Sequence, residues 1–137
     1  MKLEQASVII QAALAKGGSL GLKPLTVAVL DAGGHMIALQ RQDGASTHRP
    51  QIAAGKAGGA LALGVSSRKI AEMAAERPSF VASLGGMTPV IPAAGGVIVV
   101  DGHGAPIGAV GITGDTSDND EACALAGIAA AGLAAQG

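Results

Sequence analysis

The sequence predicts one α+β domain over residues 1–137, with helices packed on a central, mainly antiparallel sheet built from two hairpins. Two segments rich in Val, Leu and Ile, 25–41 and 97–113, are each divided by a glycine-rich turn. Ala-rich segments with apolar residues at helical spacing precede, separate and follow them. A chain of this length buries roughly two-thirds of its unfolded surface, so one core can stabilise it without disulfides or metals.

The hairpins are predicted from β-prone runs and the turns between them. The first, 25–41, turns at Asp31–Gly34, and the second, 97–113, turns at Asp101–Gly104. Glycine tolerates the positive φ angles that tight turns require, and Asp bonds readily to the turn backbone. The sequence favours a structural role for Asp31 in the turn and a catalytic role equally.

Helices are expected before, between and after the hairpins, over residues 2–16, 50–63, 66–76 and 118–135. Pro50 suits the first turn of a helix, where its missing N–H is not needed. Residues 78–92 contain several Pro and Gly and are expected to be irregular, with a turn at Gly85-Gly86.

The last helix has an acidic start. Asp118 is expected to cap it, with Glu121 completing a capping box, and this interpretation is preferred to a metal site. The spacing of the acidic residues does not match a calcium loop. One face of the helix is expected to carry the apolar residues Leu125, Ile128, Ala129 and Leu133. Cys123 lies off that stripe, as a packing residue or an interface thiol.

Composition excludes several classes of function. The net charge is −1 and aromatic residues make up 1%, which argues against nucleic-acid binding. No apolar stretch predicts a membrane span, and the charged first residues show no signal core, so a cytoplasmic location is expected. Abundant Ala and Gly indicate close packing and homo-oligomerisation, although a compositional bias of the genome would give the same abundance.

The densest polar cluster comprises a strand end, the loop after it and the next helix, with Arg41, Asp43, His48, Arg49 and Lys56. Loops at the end of a rigid hairpin are frequent binding sites. Lys56 lies among alanines, so it is either buried, with a paired charge or a lowered pKa, or it extends its ammonium to water. The second interpretation is the commoner one for a lysine considered alone.

Other patterns indicate little chemistry. The serines lack a nucleophile elbow, and the three histidines lack zinc spacing, so no metal site is predicted. The glycines of Gly108–Gly114 lie inside a strand, where they indicate a bulge or the close approach of a ligand rather than a dinucleotide site.

Several motifs together resemble the GlcG/HbpS-like family, whose module also forms the C-terminal domain of PduO-type proteins. The resemblance extends over nearly the whole chain. It rests on Val29–Gly34, Arg41–Ala45, Ile52–Ala57, Gly95-Gly96, Gly108–Gly114 and Asp118–Glu121. Two departures concern Gly58-Gly59, where a Thr is usual, and the absence of a Pro after Gly95-Gly96.

The resemblance implies a profilin-like α+β fold, assembly into dimers up to octamers, and haem or another tetrapyrrole or a small organic metabolite as ligand. His48 is then the expected iron ligand, with Arg41, Arg49 and Lys56 able to pair with propionates. The ligand is expected near a subunit interface, in contact with Arg41, Asp43, His48, Lys56, Gly95, Gly96 and Thr113.

Two alternatives stay open from the sequence. An enzyme acting on a small oxygenated metabolite would use Lys56 or Asp31 as general base. An accessory subunit without chemistry of its own would explain why no nucleophile or metal constellation is found.

Overall fold

A computed structural model describes all residues, 1–137. It contains five helices and five strands, which follow in chain order: α1 Leu3–Ser19, β1 Thr26–Asp31, β2 Met36–Arg41, α2 Arg49–Leu63, α3 Ser67–Glu76, α4 Pro78–Leu84, β3 Gly96–Val100, β4 Pro106–Thr113, α5 Ser117–Ala130 and β5 Ala134–Ala135.

All five strands form one antiparallel sheet in the order β2-β1-β4-β3-β5. The two predicted hairpins are therefore neighbours, joined through β1 and β4. Helices α1 and α5 cover one face of the sheet and α2 covers the other. The predicted α+β fold with a central antiparallel sheet is confirmed.

The main core lies between the sheet and the α1–α5 pair. It is aliphatic, and its largest side chains are Ile9, Ile10, Leu25, Ile112 and Ile128, all buried. Cys123 belongs to this core with no exposed surface, so it is a packing residue, and the expectation that it lies off the buried stripe is wrong.

Glycine lets α2 lie directly on the other face. A Cβ at Gly111 of β4 would overlap the carbonyl oxygen of Ala53, and one at Gly96 of β3 would overlap that of Lys56. The backbones of helix and strands are thus in contact, which only residues without a side chain allow. Close packing of α2 on the sheet therefore requires glycine at 96 and 111.

The two hairpin turns have the same internal structure. The carboxylate of Asp31 accepts from the N–H groups of Gly33 and His35, and that of Asp101 accepts from His103 and Ala105. Gly34 and Gly104 supply the positive φ, at 84° and 81°. Since β1 and β3 both run antiparallel to β4, the two turns lie at the same end of the sheet.

Three predicted boundaries are wrong. Residues 78–92 are not all irregular, because Pro78 takes the first position of α4, where proline is favoured. The last helix stops at Ala130 rather than 135, since Gly132 takes a positive φ and Ala134–Ala135 then pair with β3. Helix α1 continues through Gly17 and Gly18 to Ser19.

The start of α5 also differs from the prediction. Thr116 is the cap and accepts from the N–H of Asn119. Asp118 and Glu121 instead bind Arg68 of α3 through its guanidinium, so they tie two helices together. The predicted apolar face is wrong as well, because Leu125 and Ala129 are exposed and only Ile128 of that set is fully buried.

Candidate functional site

The largest cavity is a groove of about 590 Å³ on the α2 side of the sheet, which lies within the range of small-molecule sites. One wall is the β1–β2 turn with Met36, and another is the outer face of α2 from Gln51 to Ala62. Thr88 and Pro89 close the third side. No charged side chain lines it, so the groove suits an apolar ligand rather than a small anion.

Glycine and alanine form much of the lining of the groove. Gly33 and Gly34 contribute from the turn, and Ala54, Gly55 and Gly58 contribute from α2. At glycine positions a ligand can approach the backbone closely. Leu30, Met36 and Leu61 supply the larger apolar contacts.

His35 follows the groove-lining residue Gly34 in the β1–β2 turn, but its own side chain does not line the groove. Its ring lies over Gly33, because a Cβ built on that glycine would be 2.9 Å from ring atoms Cε1 and Nδ1. Nδ1 is 3.3 Å from Oδ1 of Asp31, while the side chain as a whole is 82% exposed. The hydrogen bond from the backbone of His35 is the main cause that lowers the pKa of Asp31.

Lys56 is one of two buried charged side chains in the molecule, and the other is Asp120. Its Nζ donates to the carbonyl oxygen of Ile112 at 2.9 Å and to Oδ2 of Asp120 at 3.2 Å. The two side chains are 3% and 1% exposed. Burial lowers the pKa of Lys56, and the carboxylate of Asp120 opposes this. The interpretation that its ammonium reaches water is therefore wrong.

Gly95 and Gly96 lie against Lys56, and Thr113 binds Arg49, so these three predicted residues are not at the groove. Gly95 packs on the ammonium and Gly96 on the backbone of Lys56. Thr113 is buried, and its hydroxyl accepts from Nη1 of Arg49 at 2.7 Å. None of the three lines the groove.

The other predicted site residues lie elsewhere. Arg41 and Asp43 line a separate shallow depression with Leu22 and Pro24. His48 precedes α2, is exposed, and its Nδ1 is 3.5 Å from the hydroxyl of Thr47. The structure thus divides the predicted cluster among the buried pair, this depression and the helix start.

The carboxylate of Asp31 stabilises the β1–β2 turn. Its Oδ1 accepts hydrogen bonds from two backbone N–H groups, each at 2.9 Å, and contacts His35.

No group of three or more His, Cys, Asp or Glu side chains is arranged to hold a metal ion. None of the helices combines the length and the hydropathy that a membrane crossing requires.

Sequence reasoning missed the groove. It also missed Asp120, which it treated only as part of an acidic helix start. The repeated spacing of Asp31 to Gly34 and Asp101 to Gly104 was the available sign of a shared turn.

Fold and groove together describe a small α+β domain with a largely apolar groove of ligand size. The chain belongs to the HbpS-like family, because the model described as "Haem degrading protein HbpS-like" matches residues 1–129. None of the curated proteins matches the sequence significantly.

Solved structures agree with this assignment. The chain is 30% identical to HbpS, with 94% of this chain and 88% of HbpS covered and a TM-score of 0.82. It is 24% identical to the Klebsiella pneumoniae protein ORFY, covering 96% of this chain and 90% of the other, at a TM-score of 0.86. A PduOC–haem complex is similar in fold, with 21% identity, 100% and 99% coverage and a TM-score of 0.88.

Proposed function

We propose that this protein binds haem or a closely related tetrapyrrole in the groove between the β1–β2 turn, α2 and Thr88–Pro89. The observation that carries the proposal is the groove itself, which is of ligand size, largely apolar and free of charged side chains. A porphyrin is a planar, largely apolar ligand, and such ligands are held mainly by burial of apolar surface. The family description supports the same ligand class.

A small organic acid fits the groove less well. Its carboxylate would need a cation or several donors, and the groove offers only the side chains of Gln51 and Thr88 beside backbone groups. Tetrapyrrole propionates, by contrast, are on one edge of the ring and can remain in water while the rest is buried.

The general-base alternative has no support from the geometry. The ammonium of Lys56 is enclosed and bound to Asp120, so no substrate reaches it. The carboxylate of Asp31 is occupied by its own turn. A general base must lie within hydrogen-bond reach of the proton it removes.

We also propose that a second copy of the chain covers the open side of the groove. Met36 and Met87, which are 48% and 84% exposed, lie at and beside its rim, and exposed apolar surface of this kind is typical of interfaces. The ligand would then lie near a subunit interface.

Filling the groove should abolish tight binding of haemin. Gly58→Leu adds a large side chain where a Cβ meets only Leu30, at 3.7 Å, and leucine is a better helix former than glycine. We expect wild type to give a saturable, shifted Soret band, and the variant to bind at least about tenfold more weakly, which corresponds to about 1.4 kcal/mol.

Gly18→Leu is the matched control, since Gly18 lies in α1, far from the groove, and a Cβ there meets nothing within 4 Å. It should titrate like wild type. Equal binding by wild type and Gly58→Leu would move the site away from the groove. A non-saturating response from wild type would end the haem proposal.

A further inference from the structure

We infer that the groove recognises the tetrapyrrole ring and not its metal, so that it takes an iron-free porphyrin about as well as haem. This inference rests on the proposed function and narrows the class of ligand that the groove accepts. The observation behind it is the composition of the lining, which offers apolar contacts to a ring but hardly any donor atom to iron.

The lining contains only one side chain of the types that ligate haem iron. Those types are His, Cys, Met and Tyr, and of these only Met36 lines the groove, while Tyr is absent from the whole chain. The polar side chains of the lining are those of Gln51 and Thr88. An amide and a hydroxyl form hydrogen bonds and are not among the usual ligands of haem iron.

His35 is adjacent in sequence to the lining, but its ring is directed away from the groove. Its partner Asp31 pairs with Gly108 of β4, and paired residues on neighbouring strands direct their side chains to the same face. A Cβ on Gly108 would be 3.2 Å from Met1, which packs against the core on the α1–α5 side. The imidazole, 3.3 Å from Asp31, therefore lies on the opposite side of the sheet from α2.

The other histidines and the cysteine lie outside the groove as well. His48 is exposed before the start of α2, with its Nδ1 3.5 Å from the hydroxyl of Thr47. His103 is in the β3–β4 turn, and no residue of that turn lines the groove. Cys123 is buried in the core on the α1–α5 side. No histidine or cysteine of this chain is therefore in place to bind the iron of a haem in the groove.

Affinity for the ring then comes from burial of its apolar surface. This contribution is proportional to the apolar area removed from water, and that area is nearly the same for haem and for protoporphyrin IX, which differ at the centre of the ring. A bond from the thioether of Met36 to the iron is the one contact within the lining that would favour haem. The experiment therefore includes this residue.

The test compares haemin with iron-free protoporphyrin IX on the whole chain. Haemin binding is followed by Soret absorbance, and protoporphyrin IX binding by the fluorescence of the porphyrin. We expect the two dissociation constants to agree within about tenfold, the equivalent of about 1.4 kcal/mol. Gly58→Leu should weaken the binding of both ligands by the same factor, and so should Met36→Leu, which keeps an apolar side chain and removes the sulfur.

A variant with all three histidines replaced by alanine is the control for ligation from outside the groove. His35, His48 and His103 are exposed, so circular dichroism should show an unchanged fold. The variant should keep the haemin Soret band of wild type. Because the substitutions are present in every copy of the chain, the same result covers histidines that a second copy would bring to the groove.

The outcomes separate this inference from the proposed function. If Gly58→Leu weakens both ligands but wild type prefers one of them by more than about tenfold, the metal contributes to recognition and only this inference fails. A changed Soret band in the triple-histidine variant, or a loss confined to haemin in Met36→Leu, would also overturn it by identifying an iron ligand. If neither porphyrin saturates wild type, the proposed function fails and the inference with it.

Discussion

Lys56→Met should cost about 3–5 kcal/mol of unfolding free energy, the usual result of removing one partner of a buried ion pair. Methionine keeps the length of the stem and removes the charge, so the loss comes mainly from Asp120. That carboxylate would stay buried with only the N–H of Asp115 as partner, and the carbonyl oxygen of Ile112 would lose its donor. Since small domains are stable by about 5–15 kcal/mol, urea denaturation should show the change clearly.

Two further variants separate charge from packing. In Lys56→Met with Asp120→Asn, no uncompensated charge is left, so the double variant should be more stable than Lys56→Met alone. Lys69→Met removes a lysine that is exposed on α3 and should stay within about 0.5 kcal/mol of wild type. A Lys56→Met protein as stable as wild type would mean that the ammonium is not enclosed.

Gly111→Ala should destabilise the protein by about 1–3 kcal/mol or more, as overpacking a tight interface does. The added methyl group would overlap the carbonyl oxygen of Ala53 and lie 3.0 Å from the backbone nitrogen of Ala57. These are backbone atoms, so α2 would have to move off the sheet as a body. Thermal unfolding measures the loss of stability directly. Helix α2 also forms a wall of the groove.

Gly102→Ala is the control, because a Cβ there meets nothing within 4 Å and φ is not in the region reserved for glycine. It should change stability by less than about 0.5 kcal/mol. If Gly111→Ala is equally harmless, the close contact between α2 and β4 is not as tight as the structure indicates.

The hairpins and the central helices could be predicted because their determinants are local. Alternating β-prone residues, glycine turns and Pro50 at a helix start act within a few residues, so one sequence suffices. The end of α5 could not be predicted in this way. The helix ends early because Ala134–Ala135, beyond it, pair with β3, and that partner lies more than thirty residues away in the chain.

The site was harder to predict for the same reason. Arg41, His48 and Lys56 are close in sequence, but the direction of each side chain depends on partners such as Ala45, Thr47 and Asp120, which the pattern does not specify. The groove joins a turn, one helix face and Thr88–Pro89, and it contains no residue type that marks chemistry. Membership of the family could be predicted, since it depends on the order of motifs rather than on contacts.

The most direct test of haem binding in the groove is the ¹H–¹⁵N correlation spectrum of the labelled protein with ferric haemin, beside zinc protoporphyrin as the diamagnetic control. Paramagnetic iron broadens the signals of nearby amides. With haemin alone, the amide signals of Gly33, Gly34 and Gly58 should disappear, while those of Gly18 and Gly44 should persist. Broadening centred on Gly44 to His48, or no selective broadening at all, would contradict the proposed site.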